Sequence, residues 1–522
     1  MAYDAVIVGA GHNGLAAAVH LATKGWRVGV FEAASVAGGA VKTAEVTRPG
    51  FRHDLYAMNL SLFAGSPFFA AHKDGLLRHG LAFVPAPDSF ASAFPDRTWL
   101  GVGTDKDATL ARIAARSPKD AAAWALMSEV FARQAPHIFA VLGAAMPSRA
   151  AFAALWGAIR AGGLAGLGDI ARLLVSSPRD FLDRFFEDPK LKATLAVWGL
   201  HLDFPPDAAG GALFPYLEAM ASQSFGMVIG QGGADTLVKA LTGYLKERGG
   251  ELHLAAPVAE VVRSGGRARG VRLADGRVVE AKRAVICNVH PHRVINHLLP
   301  GDEHADWRGK LQGFRPGPAA MMIHYALSDL PDWAAGDALR RFAYVHLAPD
   351  LSAMTRTYDQ AKSGLLPDAP ALVVGQPTAL DPSRAPPGGH VLWVQVRVLP
   401  RDIGGDAAGE IAERDWDSVK ERYADRVEAI IEGYAPGFHT LVLGRAVLSP
   451  ADLERDNPNL VGGDSLSGSH HLDQNFVFRP AFGWSRYRTP VKNLYLVGAS
   501  TWPGAGVGAG SGFLLGKMLA GG

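Results

Sequence analysis

Val6-Ile7-Val8-Gly9-Ala10-Gly11-His12-Asn13-Gly14 carries an apolar run straight into three glycines spaced G-x-G-x-x-G, and the chain then goes on to Glu32. Ala5 to Val8 reads as a buried strand, and Leu15, Ala18, Val19, Leu21 and Ala22 recur with helical period. Arg27 to Phe31 makes a second strand, which ends at the acid. Gly9 permits the tight turn, Gly11 lets the main chain approach a pyrophosphate, and Gly14 lets the helix pack on the strand. The free N–H groups and positive dipole end of the helix favour the phosphates. Glu32 is placed to accept from a ribose hydroxyl. The order predicts an α/β fold built on a Rossmann-like sheet, with Gly9, Ala10, Gly11, Asn13, Gly14 and Glu32 touching a dinucleotide.

The dinucleotide this pattern favours is FAD. A second glycine pair, Gly38-Gly39, follows the ribose-binding acid, where a nicotinamide dehydrogenase passes to its next helix. The pair resembles the extended FAD signature of glutathione-reductase-like flavoproteins, and its physical sense is close backbone approach to a buried cofactor. At the far end, Asn493 to Gly498 is an apolar strand, followed by Trp502-Pro503-Gly504-Ala505-Gly506-Val507-Gly508 and a short apolar segment to Leu519. Strand, glycine turn and helix start again offer N–H groups, here to the polar edge of a flavin. No side chain between Lys492 and Lys517 is charged, but Pro503 and the dense glycine argue for a cofactor wall over a membrane span. Gly498, Trp502, Pro503, Gly504, Gly506 and Val507 join Gly38 and Gly39 as expected cofactor contacts.

Further blocks carry a resemblance. They are Gly50-Phe51-Arg52-His53-Asp54, Gly232-Gly233-Ala234-Asp235-Thr236-Leu237 and Leu380-Asp381-Pro382 through Pro386-Pro387-Gly388-Gly389-His390. Gly468-Ser469-His470-His471-Leu472-Asp473-Gln474, Arg486-Tyr487-Arg488-Thr489-Pro490 and Trp502 to Gly506 complete them. With these the chain resembles the phytoene desaturase/carotenoid isomerase superfamily of flavoproteins, within it the pyridine nucleotide-disulphide oxidoreductase domain-containing protein 2 branch. The resemblance implies an FAD-dependent oxidoreductase with Val258 against the adenine ring. Ala40 stands where many members carry arginine, and Trp502 where carotenoid desaturases often carry histidine.

A chain of 522 residues exceeds one ordinary domain. We expect a discontinuous FAD-binding domain over 1–65, 216–313 and 449–522, interleaved with a substrate domain over 66–215 and 314–448. The latter reads as a mixed sheet with a helical cap. Helical patterns run from Asp105 to Arg116, Lys119 to Phe139, Ser148 to Ile159, Leu167 to Leu174 and Pro178 to Phe186. Strand patterns run over Val258 to Val262, Gly270 to Leu273, Arg277 to Val279, Arg283 to Cys287, Ala319 to Leu327, Phe342 to Leu347, Ala371 to Val374 and Val391 to Leu399. Trp416 to Tyr434 is an amphipathic helix.

A net charge of +2 makes no case for nucleic acid. Cys287 is the only cysteine, so the paired thiols of a disulfide reductase are excluded. No basic segment precedes the first strand, so no cleaved leader is expected and the expected compartment is the cytoplasm. The apolar stretch from Ala150 to Leu174, edged by arginines, reads either as a monotopic patch touching lipid or as a cap or subunit interface. A membrane surface and a homo-oligomer are therefore the expected partners beside an apolar small-molecule substrate.

The chemistry asks for a substrate C–H held against the flavin and shielded from water. His470, His471 and Asp473 are the acid/base candidates, since imidazole titrates near neutrality and a carboxylate can orient it. The same histidines could instead satisfy backbone groups or stack near the ring. Asp54 reads more readily as a turn cap than as a substrate contact. Arg479, Arg486 and Arg488 could meet an anionic substrate, or be solvated. Neither a metal-ligand cluster nor a serine nucleophile elbow is evident.

The activity expected is dehydrogenation or isomerisation of an apolar, unsaturated or alicyclic molecule. Oxidation of an amine or alcohol, and a redox-silent FAD-bound interaction protein, are the alternatives. No second dinucleotide unit is evident, which leaves oxygen, a quinone or a visiting nicotinamide as electron acceptor.

Overall fold

The computed structural model describes residues 2–301 and 303–521. The parallel core of the first sheet runs Glu251–His253, Val28–Phe31, Ala2–Val8, Val278–Cys287, with Leu494–Leu496 beyond. The antiparallel strands Arg267–Leu273 and Val258–Ser264 extend it from the start of Val278–Cys287. The patterns at Arg277 to Val279 and Arg283 to Cys287 thus belong to one long strand. Val8 lies opposite Cys287 and Cys287 opposite Leu496, so segments from the beginning, middle and end of the chain sit side by side.

Helix His12–Thr23 covers this sheet, with Leu15, Ala18, Val19, Leu21 and Ala22 buried. Helices Asp235–Glu247 and Gly510–Ala520 share its core cluster. The approach of the last helix to the first is close enough that a Cβ at Gly512 would stand 1.9 Å from the carbonyl oxygen of Asn13. Only glycine permits that contact.

The second sheet runs Val442–Leu448, Ala319–Leu327, His390–Leu399, Leu372–Gly375, Tyr344–Leu347, Asp88–Ala93, Trp99–Gly103. Only the pair Tyr344–Leu347 and Asp88–Ala93 is parallel. Side chains alternate between its faces. Ile323, Val345, Leu372, Val374, Val394 and Val396 point to one face and share a cluster with Val419, Tyr423, Val427 and Ile431 of helix Trp416–Tyr434. Met322, Tyr344, Val373 and Trp393 point to the other, against helices Pro118–Leu142, Pro189–Leu200 and Leu213–Phe225.

The helical reading of 66–215 holds for most of that stretch. It missed the strands Phe83–Ala86, Asp88–Ala93 and Trp99–Gly103. The two helical patterns of Ser148 to Leu174 lie within Arg149–Val175 as two helical segments divided at Gly163, where φ is 63°. Among the described residues no helix is long and apolar enough to cross a membrane.

One buried ionic cluster ties the turn Pro382–Arg384 to the short strands His53–Asp54 and Met227–Gly230. Arg384, fully buried, donates from Nη1 to Asp54 at 2.5 Å, from Nη2 to the Gly230 carbonyl at 2.6 Å and from Nε to Asp381 at 3.3 Å. Asp54 also accepts from Thr43 Oγ1 and Ala234 N, both at 2.7 Å, and Asp381 from Gly232 N at 2.6 Å. Asp54 therefore caps, as its sequence setting suggested. Three of the sequence blocks meet here. Removing one partner of such a cluster strands charge in the interior, so Arg384→Met should lower the unfolding free energy by about 3–5 kcal/mol, measured by urea titration. Asp381→Asn, which leaves Arg384 paired with Asp54, should cost less.

Candidate functional site

Helix His12–Thr23 starts at Gly11 with no side-chain cap and no acid in its first turn, as an anion site requires. Around it every main-chain approach is too close for a side chain. A Cβ at Gly9, where φ is 94°, would stand 2.9 Å from the Asn288 carbonyl oxygen, and one at Gly14 would stand 2.4 Å from the Gly9 carbonyl oxygen. The second glycine pair closes the same turn. Gly38 N donates to the Ala10 carbonyl at 3.0 Å, and a Cβ at Gly39 would lie 3.2 Å from Gly11 Cα.

Glu32, half-buried at its strand end, accepts from Ala10 N at 2.7 Å and Ala34 N at 2.9 Å. Each carboxylate oxygen keeps a lone pair for a ribose hydroxyl. Ala256 N donates to the Glu32 carbonyl at 2.8 Å, which brings Val258 beside this strand end, packed on the cluster that contains Phe31.

The tail closes on the same turn. Gly498 N donates to Ser511 Oγ at 2.9 Å, and Ser511 Oγ donates to Asn13 Oδ1 at 3.0 Å. Between the two ends lies a residue that the sequence pattern did not disclose, Asn288, at the end of the central strand. With its amide oxygen turned to the glycines it accepts from Gly11 N and Gly14 N, each at 3.3 Å. A Cβ at Gly498 would come within 3.0 Å of the same amide. In the rest of the tail Trp502 is buried, with Nε1 donating to the Ala144 carbonyl at 2.8 Å. A Cβ at Gly510 would meet Pro503 at 2.9 Å, one at Gly506 would meet Leu62 at 2.5 Å, and Val507 is buried in the first sheet's core. This cradle of close-packed backbone at an uncapped helix start, with a carboxylate beside it, fits FAD. Gly9 to Gly14, Glu32, Gly38, Gly39 and the 498–507 tail are the residues that would hold it.

The three acid/base candidates do not form a unit. His470 Nε2 accepts from Ala505 N at 3.0 Å, and a Cβ at Gly504 would meet that nitrogen at 2.6 Å. Burial beside Arg479 holds this imidazole well below its ordinary range, so it is a neutral prop for the tail. His471 turns away, with Nε2 2.7 Å from the Asp203 carbonyl. Asp473 lies at the surface, paired with Arg315 at 2.7 Å, and orients neither histidine. Arg479 is buried and spends its donors on five carbonyls, those of Ser467, Gly468, Ser469, Gln474 and Ala499. Cys287 is buried, and desolvation pushes its thiol up to about 12, so it carries no redox role.

The cap-facing side of the second sheet supplies what the sequence missed. It meets the stretch after the second glycine pair where Trp393 Nε1 donates to the Tyr56 carbonyl at 3.1 Å, and where a Cβ at Gly375 would stand 3.0 Å from Met58 Sδ. Phe90, Trp198, Tyr344 and Trp393 share one apolar cluster with Met58. Glu218 and Arg397 are set deep at this face, and burial shifts them to about 7 and about 10. Both nevertheless keep some accessible surface, so neither is sealed into the core. A carboxyl that titrates near neutrality in such a setting is suited to move a proton.

Residues 14–509 match the family described as flavin containing amine oxidoreductase. The chain is 32% identical to pyridine nucleotide-disulfide oxidoreductase domain-containing protein 2 of Mus musculus, over 97% of this chain and 91% of that protein. It is 25% identical to phytoene desaturase (neurosporene-forming) of Cereibacter sphaeroides, over 96% of this chain and 91% of that one. The fold is similar to that of a solved oxidoreductase from Methanosarcina mazei, with a TM-score of 0.62 and 17% identity over 99% of both chains. A match along nearly the whole length, on a chain whose two ends build one glycine cradle, places this protein in the flavin-containing amine oxidoreductase family as an FAD-dependent oxidoreductase.

Proposed function

We propose that the protein dehydrogenates or isomerises an apolar, unsaturated or alicyclic small molecule. The observation that carries this reading is the aromatic wall of Phe90, Trp198, Tyr344 and Trp393, which faces inward where the second sheet meets the segment of Tyr56 and Met58. The similarity to a phytoene desaturase supports it. Bound FAD supplies a hydride acceptor. The wall orients the reacting C–H and excludes water, and the Glu218 carboxylate takes the proton that leaves the neighbouring carbon.

The second reading, amine oxidation, is favoured by the same Glu218, which could anchor an ammonium group. Anaerobic holoenzyme should lose flavin absorbance with a member of a panel of linear and cyclic alkenes; peroxide release in step with amine consumption would select the second reading instead. The electron acceptor we propose is oxygen, a quinone or a visiting nicotinamide, and reoxidation rates with each rank them.

The exposed Phe152, Leu155 and Trp156 of helix Arg149–Val175 support a membrane surface as partner. Phe152→Ser with Trp156→Ser should cut flotation with phosphatidylglycerol vesicles. A second copy of the chain on the same patch would show instead as a dimer by light scattering.

Because a base works deprotonated, kcat/KM should rise with pH through about 7, where burial has placed Glu218. Glu218→Gln should remove that rising limb and lower kcat by about 10²–10⁴-fold.

A further inference from the structure

Among the deeply set arginines of the described residues, Arg384 and Arg479 are accounted for. Arg384 has Asp54 and Asp381, and Arg479 has its carbonyl cage. Arg397 has neither. Its Nη1 and Nη2 donate to the carbonyl and Nδ1 of His201, at 3.2 and 3.1 Å, and its buried Nε has no partner. No described carboxylate lies within ion-pair distance of it. The guanidinium stays charged even where burial has brought it down to about 10. Asp464, the carboxylate whose charge it feels, stands beyond ion-pair distance, so the cation is incompletely compensated unless a ligand adds a counter-charge.

Close to Arg397 several buried nitrogens stand without partners, alongside one unpartnered acceptor, Gln395 Oε1, two residues earlier on the strand. Because His201 Nδ1 accepts from Arg397, its proton sits on Nε2, which is buried and unpartnered. Trp198 Nε1, 4% exposed as a residue, and both nitrogens of the fully buried His346 are unpartnered as well. These rings belong together: Trp198 and His201 centroids are 4.5 Å apart, Trp198 and His346 5.1 Å, and His201 and His346 5.5 Å. His346 is held neutral at about 3 by burial beside Arg397, so it brings one N–H and no second charge.

We propose that Arg397, His201, His346 and Trp198 form an oxyanion site that takes a carboxylate on the substrate, so that the molecule oxidised is an apolar acid. A single cation walled by Phe90 and Tyr344 matches a monoanion on a hydrocarbon body. A phosphate would bring two charges to one guanidinium. The inference rests on the reading of an apolar substrate given above, and sharpens it.

The test is binding to FAD-loaded holoenzyme, followed by the perturbation of the flavin spectrum. Probes are cyclohexanecarboxylate and the even-chain acids from hexanoate to hexadecanoate, each beside its matching alcohol. At least one acid should bind tenfold or more tightly than its alcohol. Arg397→Met should erase that difference while leaving alcohol binding within twofold, and Arg397→Lys should restore part of it. FAD content and Tm of each variant are read in parallel, and Arg397→Lys carries the test if the methionine variant does not fold.

Acids and alcohols binding equally would overturn the carboxylate site but leave the apolar-substrate reading standing. The carboxylate site falls in the same way if Arg397→Met keeps the preference, or loses FAD without changing it. Binding of neither series, with amines perturbing the flavin instead, would overturn both.

Discussion

Everything in this protein hangs on main chains that approach one another too closely for side chains. Gly9, Gly11 and Gly14 meet Asn288, Gly38 and Gly39 press on the first turn, and Gly512 touches the carbonyl of Asn13. These contacts bring together stretches that are hundreds of residues apart. They leave the uncapped start of helix His12–Thr23 and its dipole open to approach, which is what a pyrophosphate recognises. The glycines act through steric exclusion: they supply no chemistry, and a methyl group at Gly512 would push the last helix off the first, while one at Gly9 or Gly14 would strike Asn288 or the turn itself.

Much of this was legible in the chain. The G-x-G-x-x-G turn, the acid at Glu32 and the strand Ala319–Leu327 follow from local periodicity, and so does helix Trp416–Tyr434. The helix buries one predictable face, and the strand is an apolar run buried at every position. Asn288 was not legible, because an asparagine after an apolar strand has no signature of its own; its role arises from contact with glycines far away in sequence. Asp473 misled for the opposite reason. It sits beside two histidines in sequence, but the 3₁₀ turn Leu472–Gln474 follows the two histidines directly and Asp473 pairs outward with Arg315.

Strand His390–Leu399 was legible as an element over Val391 to Leu399, but the role of its second face was not. Its alternation of Val, Leu and Val with Trp393, Gln395 and Arg397 is the pattern of a strand with one face in water. The apolar face does pack on helix Trp416–Tyr434. The polar face, however, turns toward the helical cap, and periodicity cannot tell a solvated face from one that lines an enclosed site. Only the tertiary fold makes that distinction, and here it converts an unremarkable strand into the wall of the candidate substrate space.

The buried charges show how the two sheets divide their labour. Arg384 is matched by carboxylates and Arg479 by carbonyls, so both stabilise loops and neither is free to bind anything. Arg397 and Glu218 lack such partners and keep accessible surface. Burying a charge is tolerable when it is paired and costly when it is not, so unpaired groups persist where function requires them. On that criterion the chemistry we propose belongs to the inner face of the second sheet and the cap above it, with the first sheet as the fixed cradle for the cofactor.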